Sequence, residues 1–278
     1  MRGWWQDLTD LVLPAECGGC GRPRTMLCPR CRAVLGGAAP RRVRPVPEPP
    51  GLPAVHAAAP YADEVRAALL AHKERGALAL AGPLGTALAG AVRAGVRAAT
   101  GTREAAGGST GPVLLVPVPS ARGAVRARGH DPVRRIARAA AGELRRSGLP
   151  ARALAVLRQR RVVADQSTLG SRQRLENLAG ALQVATGGER LLREGAVVLV
   201  DDLMTTGASL MEAARAVRTA VYAARAWEGM GERKPVSGRK EGNPVYSTSE
   251  LADARGAGDV ICAAVVAASP DSFEMNRN

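Results

Sequence analysis

Two acidic residues stand two residues before a turn of small, hydroxyl-bearing residues in the stretch VVLVDDLMTTGAS, positions 197–209. Amide N–H groups at the start of a helix bind phosphate well, so this turn is predicted to hold a phosphate dianion. The carboxylates would repel that phosphate, whereas vicinal sugar hydroxyls donate hydrogen bonds to carboxylates. We therefore predict a ribose 5-phosphate site, with an acidic pair that only caps a helix as the alternative. Its residues are Asp201, Asp202, Thr205, Thr206, Gly207, Ala208 and Ser209.

Four of the five cysteines form two Cys-x2-Cys pairs separated by seven residues, namely Cys17, Cys20, Cys28 and Cys31. Each pair aims two thiolates at one ion, and two pairs complete the tetrahedron that Zn²⁺ prefers. We predict a structural Zn²⁺ site, which would stabilise a segment too short for a core of its own. A redox-active pair and unliganded thiols are the alternatives. Cys262 lies in an apolar run and is expected in the core.

The chain of 278 residues carries a formal net charge of +14, which favours nucleic acid or small phosphorylated molecules as partners. Only Lys73, Lys234 and Lys240 are lysines, and such an arginine-rich composition is equally typical of a GC-rich genome. No apolar run reaches the roughly 18 residues of a membrane helix. The first residues lack the apolar segment of a signal peptide. We therefore expect a cytoplasmic protein without membrane insertion.

Predicted strands alternate with predicted helices, which indicates an α/β fold with a parallel sheet covered by helices on both faces. Apolar runs predict strands at 113–119, 196–200 and 260–268, and a further strand is expected within ARALAVLRQ, 151–159. Residues 164–181 are polar and lack periodicity, so we expect a mobile loop there. Helices are predicted where apolar residues mark one face, at 80–96, 133–144 and 207–218.

The domain organisation is predicted from changes in composition. A four-cysteine zinc module with a linker is expected over 1–40, and a larger domain over 55–278. Residues 36–60 are rich in Pro, Gly, Ala and Arg and are expected to be a linker or irregular connection. The segment 221–257 stands where a turn of about 2–6 residues is usual, so it is predicted to be an insertion. It could be benign or disordered, bind a partner, or unsettle the strand that follows.

The stretch 197–209 resembles the phosphoribosyl-pyrophosphate (PRPP) motif of the type I phosphoribosyltransferases. Together with the cysteine segment CGGCGRPRTMLCPRC, it makes the chain similar to the ComF (competence protein F) family. Blocks at 61–76, 116–132 and 165–182 also resemble that family, although His130 and Asp131 stand where Phe and Asn are usual. The resemblance implies a type I phosphoribosyltransferase-like parallel sheet flanked by helices, with a small N-terminal four-cysteine zinc module.

The resemblance also implies roles for individual residues. Asp201 and Asp202 would be catalytic, and Mg²⁺ would bridge the pyrophosphate and ribose oxygens of PRPP. The loop after Pro119 would present backbone amides to the pyrophosphate. A surface lysine is the favoured interpretation of Lys73, although it could reach the same anion. Four arginines are predicted to bind the pyrophosphate, the last two from a closing loop, with a solvated surface charge as the alternative for each: Arg126, Arg128, Arg172 and Arg174.

Two functions follow from this resemblance. The first is a protein that binds PRPP or a nucleotide and assists DNA uptake in natural transformation, with single-stranded DNA and the DNA-uptake machinery as partners. The second is an active phosphoribosyltransferase that transfers ribose 5-phosphate to an unidentified base or amine and releases pyrophosphate. Phe273 is the candidate for stacking a base, with a surface residue as the alternative. Trp4 and Trp5 either stack DNA bases or pack against the zinc module.

Overall fold

The computed structural model describes residues 16–101, 111–161, 173, 177–229 and 260–274. The strands in this part of the chain are β1 (Arg41–Val43), β2 (Val55–Pro60), β3 (Val113–Pro117), β4 (Ala151–Ala153), β5 (Leu157–Gln159), β6 (Leu182–Val184), β7 (Ala196–Met204) and β8 (Val260–Ala268). Six of them form one sheet in the order β1-β2-β8-β7-β3-β4, and β5 and β6 form a separate antiparallel pair. Neighbours in the large sheet are parallel except at its edge, where β1 runs antiparallel to β2. The predicted α/β class and mostly parallel sheet are confirmed.

Helices pack on both faces of the large sheet. The helices among the described residues are α1 (Pro29–Gly36), α2 (Asp63–Glu74), α3 (Ala81–Thr100), α4 (Arg122–Arg128), α5 (Pro132–Arg146), α6 (Gly188–Leu192), α7 (Ala208–Gly229) and α8 (Asp271–Glu274), with a short 3-10 helix at Leu78–Leu80. Helices α2, α3 and α5 share one apolar cluster, and α7 lies in a second cluster on the other face.

The side chains of the central strands point alternately to the two faces of the sheet and contribute to both apolar cores. In β7, Val198 and Val200 face the first cluster, whereas Val197 and Leu199 face the second. Successive side chains of a strand point to opposite faces, so a strand buried on both sides reads as a continuous apolar run. With few aromatic side chains between them, the helices pack closely. A Cβ added at Gly85 of α3 would lie only 2.5 Å from the Ala139 Cβ of α5.

The cysteine segment packs into the same core as the sheet. Cys17, Cys28 and Cys31 belong to the first cluster, together with buried residues of α2 and α3. A Cβ added at Gly18 would lie 2.6 Å from Leu80 Cδ1, so backbone and core side chain meet closely there. The segment is therefore joined to the domain by a continuous apolar core.

One described stretch, Leu78–Thr100, is long and apolar enough to cross a membrane by length and composition alone. Within the most apolar window of this stretch, 61% is buried inside the protein, and Leu84 and Leu88 are fully buried. The stretch therefore packs as a core helix within the domain.

Several predicted boundaries were wrong. Residues 36–60 contain all of β1 and β2, because Val43 and Val55 pack into the second core. The expected strand at 151–159 is two short strands in different sheets. The last backbone hydrogen bond to β3 is from Leu154 N–H to Leu115 O at 2.8 Å, and beyond it the chain pairs with β6 instead. Strand β7 extends four residues past its predicted end, since it pairs with β8 as far as Met204.

The helix after β7 is also longer than expected. It begins at Ala208 and continues to Gly229, into the segment 221–257 that we predicted to be an insertion. Residues 230–259 lie outside the described part of the chain, so the insertion stays a prediction. Most of the predicted mobile loop 164–181, namely 164–172 and 174–176, also lies outside it.

Candidate ligand site and four-cysteine centre

The acidic pair, Asp201 and Asp202, lies near the carboxyl end of β7, between the parallel strands β3 and β8. Asp202 is 6% exposed and Asp201 is half-buried. The Asp202 N–H donates to Asp201 Oδ1 at 2.8 Å, which fixes one carboxylate against the backbone. Open parallel sheets bind ligands at the edge where the carboxyl ends of the strands meet, and the acidic pair lies at that edge.

Lys73, near the end of α2, pairs with the acidic pair. Its Nζ lies 3.2 Å from Asp202 Oδ2, and the two side chains are 34% and 8% exposed. Asp202, and more weakly Asp201, raises the pKa of Lys73. Burial first, and then the Asp202 carboxylate, raises the pKa of Asp201 well above its usual range. Lys73 is therefore part of the site, contrary to the surface position that the sequence favoured.

Arg128, at the end of α4, interacts electrostatically with Lys73 and lowers its pKa. Its side chain is 17% exposed, and its Nη1 lies 3.7 Å from Glu74 Oε1. That nitrogen is buried and has no hydrogen-bond partner within the described residues. Arg126, on the same helix, is exposed. Arg172 and Arg174 lie outside the described residues, so of the four predicted arginines only Arg128 is seen to interact with Lys73, the partner of Asp202, in the described part of the chain.

The cradle, residues 205–209, joins β7 to α7. Gly207 has a positive φ of 75°, and a Cβ there would lie 3.0 Å from Leu52 Cδ2, so the turn needs glycine at this position. Gly207 and Ala208 are buried, Thr205 is exposed, and Thr206 and Ser209 are half-buried. A cavity of about 250 Å³ borders the cradle and is lined by Pro45, Val46, Pro47, Thr205, Thr206, Ser269, Asp271 and Ser272.

The four-cysteine centre, formed by Cys17, Cys20, Cys28 and Cys31, is compact. The four Sγ atoms all lie within 4.8 Å of one another, and Cys20 Sγ is 3.6 Å from Cys28 Sγ. Tetrahedral Zn²⁺ with Zn–S bonds of about 2.3 Å places its sulfur atoms about 3.8 Å apart, so the cluster fits such an ion. Burial raises the pKa of Cys17, but backbone N–H donors lower it to about 6, which favours the metal-binding thiolate. The centre can hold a metal ion such as zinc.

Two other predicted residues are core side chains. Phe273 is 8% exposed in the second core, and the Arg41 guanidinium carbon lies 5.8 Å from its ring centroid. Its ring is therefore not the surface platform that base stacking would need. Cys262 is buried, as expected, and burial raises its pKa to about 12. Trp4 and Trp5 lie outside the described residues.

Two comparisons with known proteins give no match for the chain. No protein-family model matches it, and no curated protein is significantly similar to it.

The sequence missed Lys73 as a site residue, although two signals pointed to it. It is one of only three lysines in a chain that otherwise uses arginine. It also follows the buried Val65 and Leu69 at intervals of four, which places it on the inward face of α2.

Proposed function

We propose that the chain binds PRPP or a related nucleotide with Mg²⁺ as a phosphoribosyltransferase-like protein. One observation carries the proposal, namely that the acidic pair and the cradle follow each other across the end of β7 at one edge of the sheet. The cradle would accept the 5′-phosphate, because the start of the 22-residue helix α7 provides amide N–H groups and the positive end of its dipole. The carboxylates would accept hydrogen bonds from the ribose hydroxyls.

The cations beside the acidic pair support a pyrophosphate at the other end of the ligand. Arg128 Nη1 is buried and lacks a hydrogen-bond partner among the described residues, which is costly unless an acceptor binds. Lys73 Nζ pairs with Asp202 and is close enough to Arg128 for the guanidinium to lower the pKa of Lys73, so one anion could contact both cations. An incoming pyrophosphate would satisfy donors that the protein leaves unpaired or paired only with carboxylates.

The acidic pair also suits Mg²⁺, which prefers carboxylate oxygens and ligand phosphates over all-protein cages. A bound Mg²⁺ would supply positive charge against the pyrophosphate. The pKa of Asp201 is raised because its carboxylate is poorly hydrated and lies beside Asp202, so it binds a proton more tightly than an ordinary carboxyl does. Binding of Mg²⁺ with PRPP would displace that proton, so affinity should rise with pH over the range in which Asp201 titrates.

The motifs shared with the ComF family lead us to propose a role in DNA uptake for this PRPP-binding protein. The net charge of +14 favours a salt-sensitive contact with the phosphates of single-stranded DNA. Burial of Phe273 weighs against base stacking at that position. In a gel shift, we expect binding at about 50 mM salt that is lost by about 200 mM, and no binding at the lower salt would refute this role.

An active transferase is the second proposed function. In that reaction a nucleophile attacks C1′ of PRPP, the C1′–oxygen bond breaks, and pyrophosphate leaves with the bonding electrons. The cavity of about 250 Å³ beside the cradle favours this possibility, because it offers space next to the proposed ligand. Assays of pyrophosphate release from PRPP against a panel of bases and amines separate this enzyme from a binding protein. Release that depends on one acceptor supports the enzyme.

Calorimetry of PRPP with Mg²⁺ tests the proposed site. The variant Asp201→Asn/Asp202→Asn removes both carboxylates with little change of shape, and we expect its affinity to fall at least about tenfold. The control Glu143→Gln/Glu189→Gln removes two carboxylates from α5 and α6, and it should bind like the wild type. Equal affinity in wild type and the Asp variant, or no binding in either, would refute the assignment of the site.

A further inference from the structure

Helix α2 connects the four-cysteine centre to the acidic pair. At its start, Glu64 Oε1 accepts a hydrogen bond from Arg30 Nη2 of α1 at 2.6 Å. Near its end, Lys73 Nζ pairs with Asp202 Oδ2 at 3.2 Å. Lys73 follows Glu64 by nine positions, which corresponds to about 13 Å along a helix. A single short helix therefore contacts both candidate sites.

The contact between α2 and the cysteine segment is close. A Cβ added at Gly19 would lie 2.8 Å from Cys31 Sγ and 3.3 Å from Glu64 Cβ. Further along α2, Val65, Ala68 and Leu69 are buried in the cluster that contains three of the four cysteines. Close-packed interiors transmit displacements, so a shift of the cysteine segment would move α2.

We propose that a metal ion in the four-cysteine centre holds α2 in place and thereby holds Lys73 against Asp202. Metal occupancy then sets the affinity of the acidic pair for its ligand, although the two sites share no residue. The ligand half of this inference rests on the proposed function, whereas the placement of Lys73 does not. Loss of the metal frees α1 and the start of α2, and Lys73 withdraws from Asp202.

The reactivity of Lys73 measures its placement directly. An ion-paired ammonium is protonated and therefore reacts slowly with an acylating reagent. Lys234 and Lys240 serve as internal references, because mass spectrometry resolves all three lysines on separate peptides. We expect Lys73 of the full chain to react with acetic anhydride several-fold faster after zinc is removed. The rates at the two reference lysines should not change. An unchanged Lys73 rate in protein whose zinc loss is verified would overturn the inference.

A second pair of variants decides the matter if removal of zinc unfolds the whole chain. Gly19→Ala places a methyl group between the cysteine segment and α2, whereas Gly36→Ala, at the end of α1, has no atom within 4 Å of its added Cβ. In zinc-loaded, folded protein we expect faster acylation of Lys73 in Gly19→Ala and wild-type behaviour in Gly36→Ala. Equal rates in both variants would overturn the inference.

The coupling to the ligand is tested with PRPP and Mg²⁺. We expect zinc-loaded wild type to bind PRPP about 5- to 100-fold more tightly than zinc-free protein, the usual range for coupled sites. In Lys73→Met, zinc should change the affinity by less than about twofold, because the residue that transmits the effect is gone. A full zinc effect in Lys73→Met would overturn the inference. Absence of PRPP binding in every form would instead refute the proposed function and leave the Lys73 acylation result standing.

Discussion

A buried ion pair one turn into α7 provides the sharpest test of the structure. Glu212 is fully buried, and its Oε1 accepts hydrogen bonds from Leu182 N–H at 2.9 Å and from Arg215 Nη2 at 2.8 Å. Its Oε2 accepts from Arg215 Nε at 2.7 Å, and Arg215 Nη2 also donates to Leu182 O at 3.0 Å. This pair ties β6 to the helix that begins at the cradle.

The variant Glu212→Gln keeps the shape of the side chain and replaces one acceptor oxygen with an NH₂ donor. That NH₂ group then faces either the Arg215 guanidinium or Leu182 N–H, both of which are also donors. Breaking a fully buried ion pair costs about 3–5 kcal/mol. The Arg215 side chain is 37% exposed, so water recovers part of the loss. We expect the free energy of unfolding to fall by about 2–3 kcal/mol.

The chain contains a matched control on another helix. Glu143 and Arg146 of α5 have the same residue types and the same spacing, with a contact of 2.8 Å, but Arg146 is 74% exposed and Glu143 is 24% exposed. Exposed pairs contribute about 0–1 kcal/mol, so Glu143→Gln should cost less than about 0.5 kcal/mol. Urea unfolding followed by circular dichroism measures both variants. Equal costs, or a cost below about 1 kcal/mol for Glu212→Gln, would refute the reasoning.

Three further predictions concern stability. Gly207→Ala should lower the free energy of unfolding, measured in urea, by about 2 kcal/mol, because φ is positive and the added Cβ would lie close to Leu52. The control Gly129→Ala has a similar φ of 73° but open space around the added Cβ, and it should cost about 1 kcal/mol. Because the raised pKa of Asp201 makes its carboxylate costly in the folded state, Asp201→Asn should be more stable than wild type at pH 8. The difference in the free energy of unfolding between variant and wild type should shrink as the pH falls toward about 4, as measured by unfolding curves at a series of pH values. A difference that does not change with pH would contradict this prediction. Chelation of zinc should lower the Tm by at least about 5 °C in scanning calorimetry, and an unchanged Tm would contradict a structural metal.

The local pattern around the acidic pair could be predicted from the sequence, because each step depends on neighbouring residues. Apolar runs on alternating faces predicted β7, and the turn with Gly207 predicted the start of α7 within one residue. The clustering of the four cysteines was likewise predicted, since a Cys-x2-Cys spacing brings two thiols together within one turn.

The features that sequence reasoning missed depend on contacts between distant elements. The position of Lys73 against Asp202 is set by how α2 packs on the sheet, which leaves only a weak trace in the periodicity of α2. Glu212–Arg215 and Glu143–Arg146 have the same sequence pattern, yet only tertiary packing buries the first glutamate. Strand β1 was missed because its three residues are too few to show an alternation.

The position of β8 determines when this protein can fold during its synthesis. Among the described strands it comes last in sequence, yet it lies inside the sheet and pairs with both β2 and β7. Its partners in β2 precede it by about 200 residues, a separation that makes folding slow. Until residues 260–268 leave the ribosome, β2 and β7 each lack a neighbour, and a nascent chain of this length with two open strand edges is prone to aggregate. Chaperone dependence in the cell should therefore be greatest until residues 260–268 have emerged from the ribosome and paired with β2 and β7.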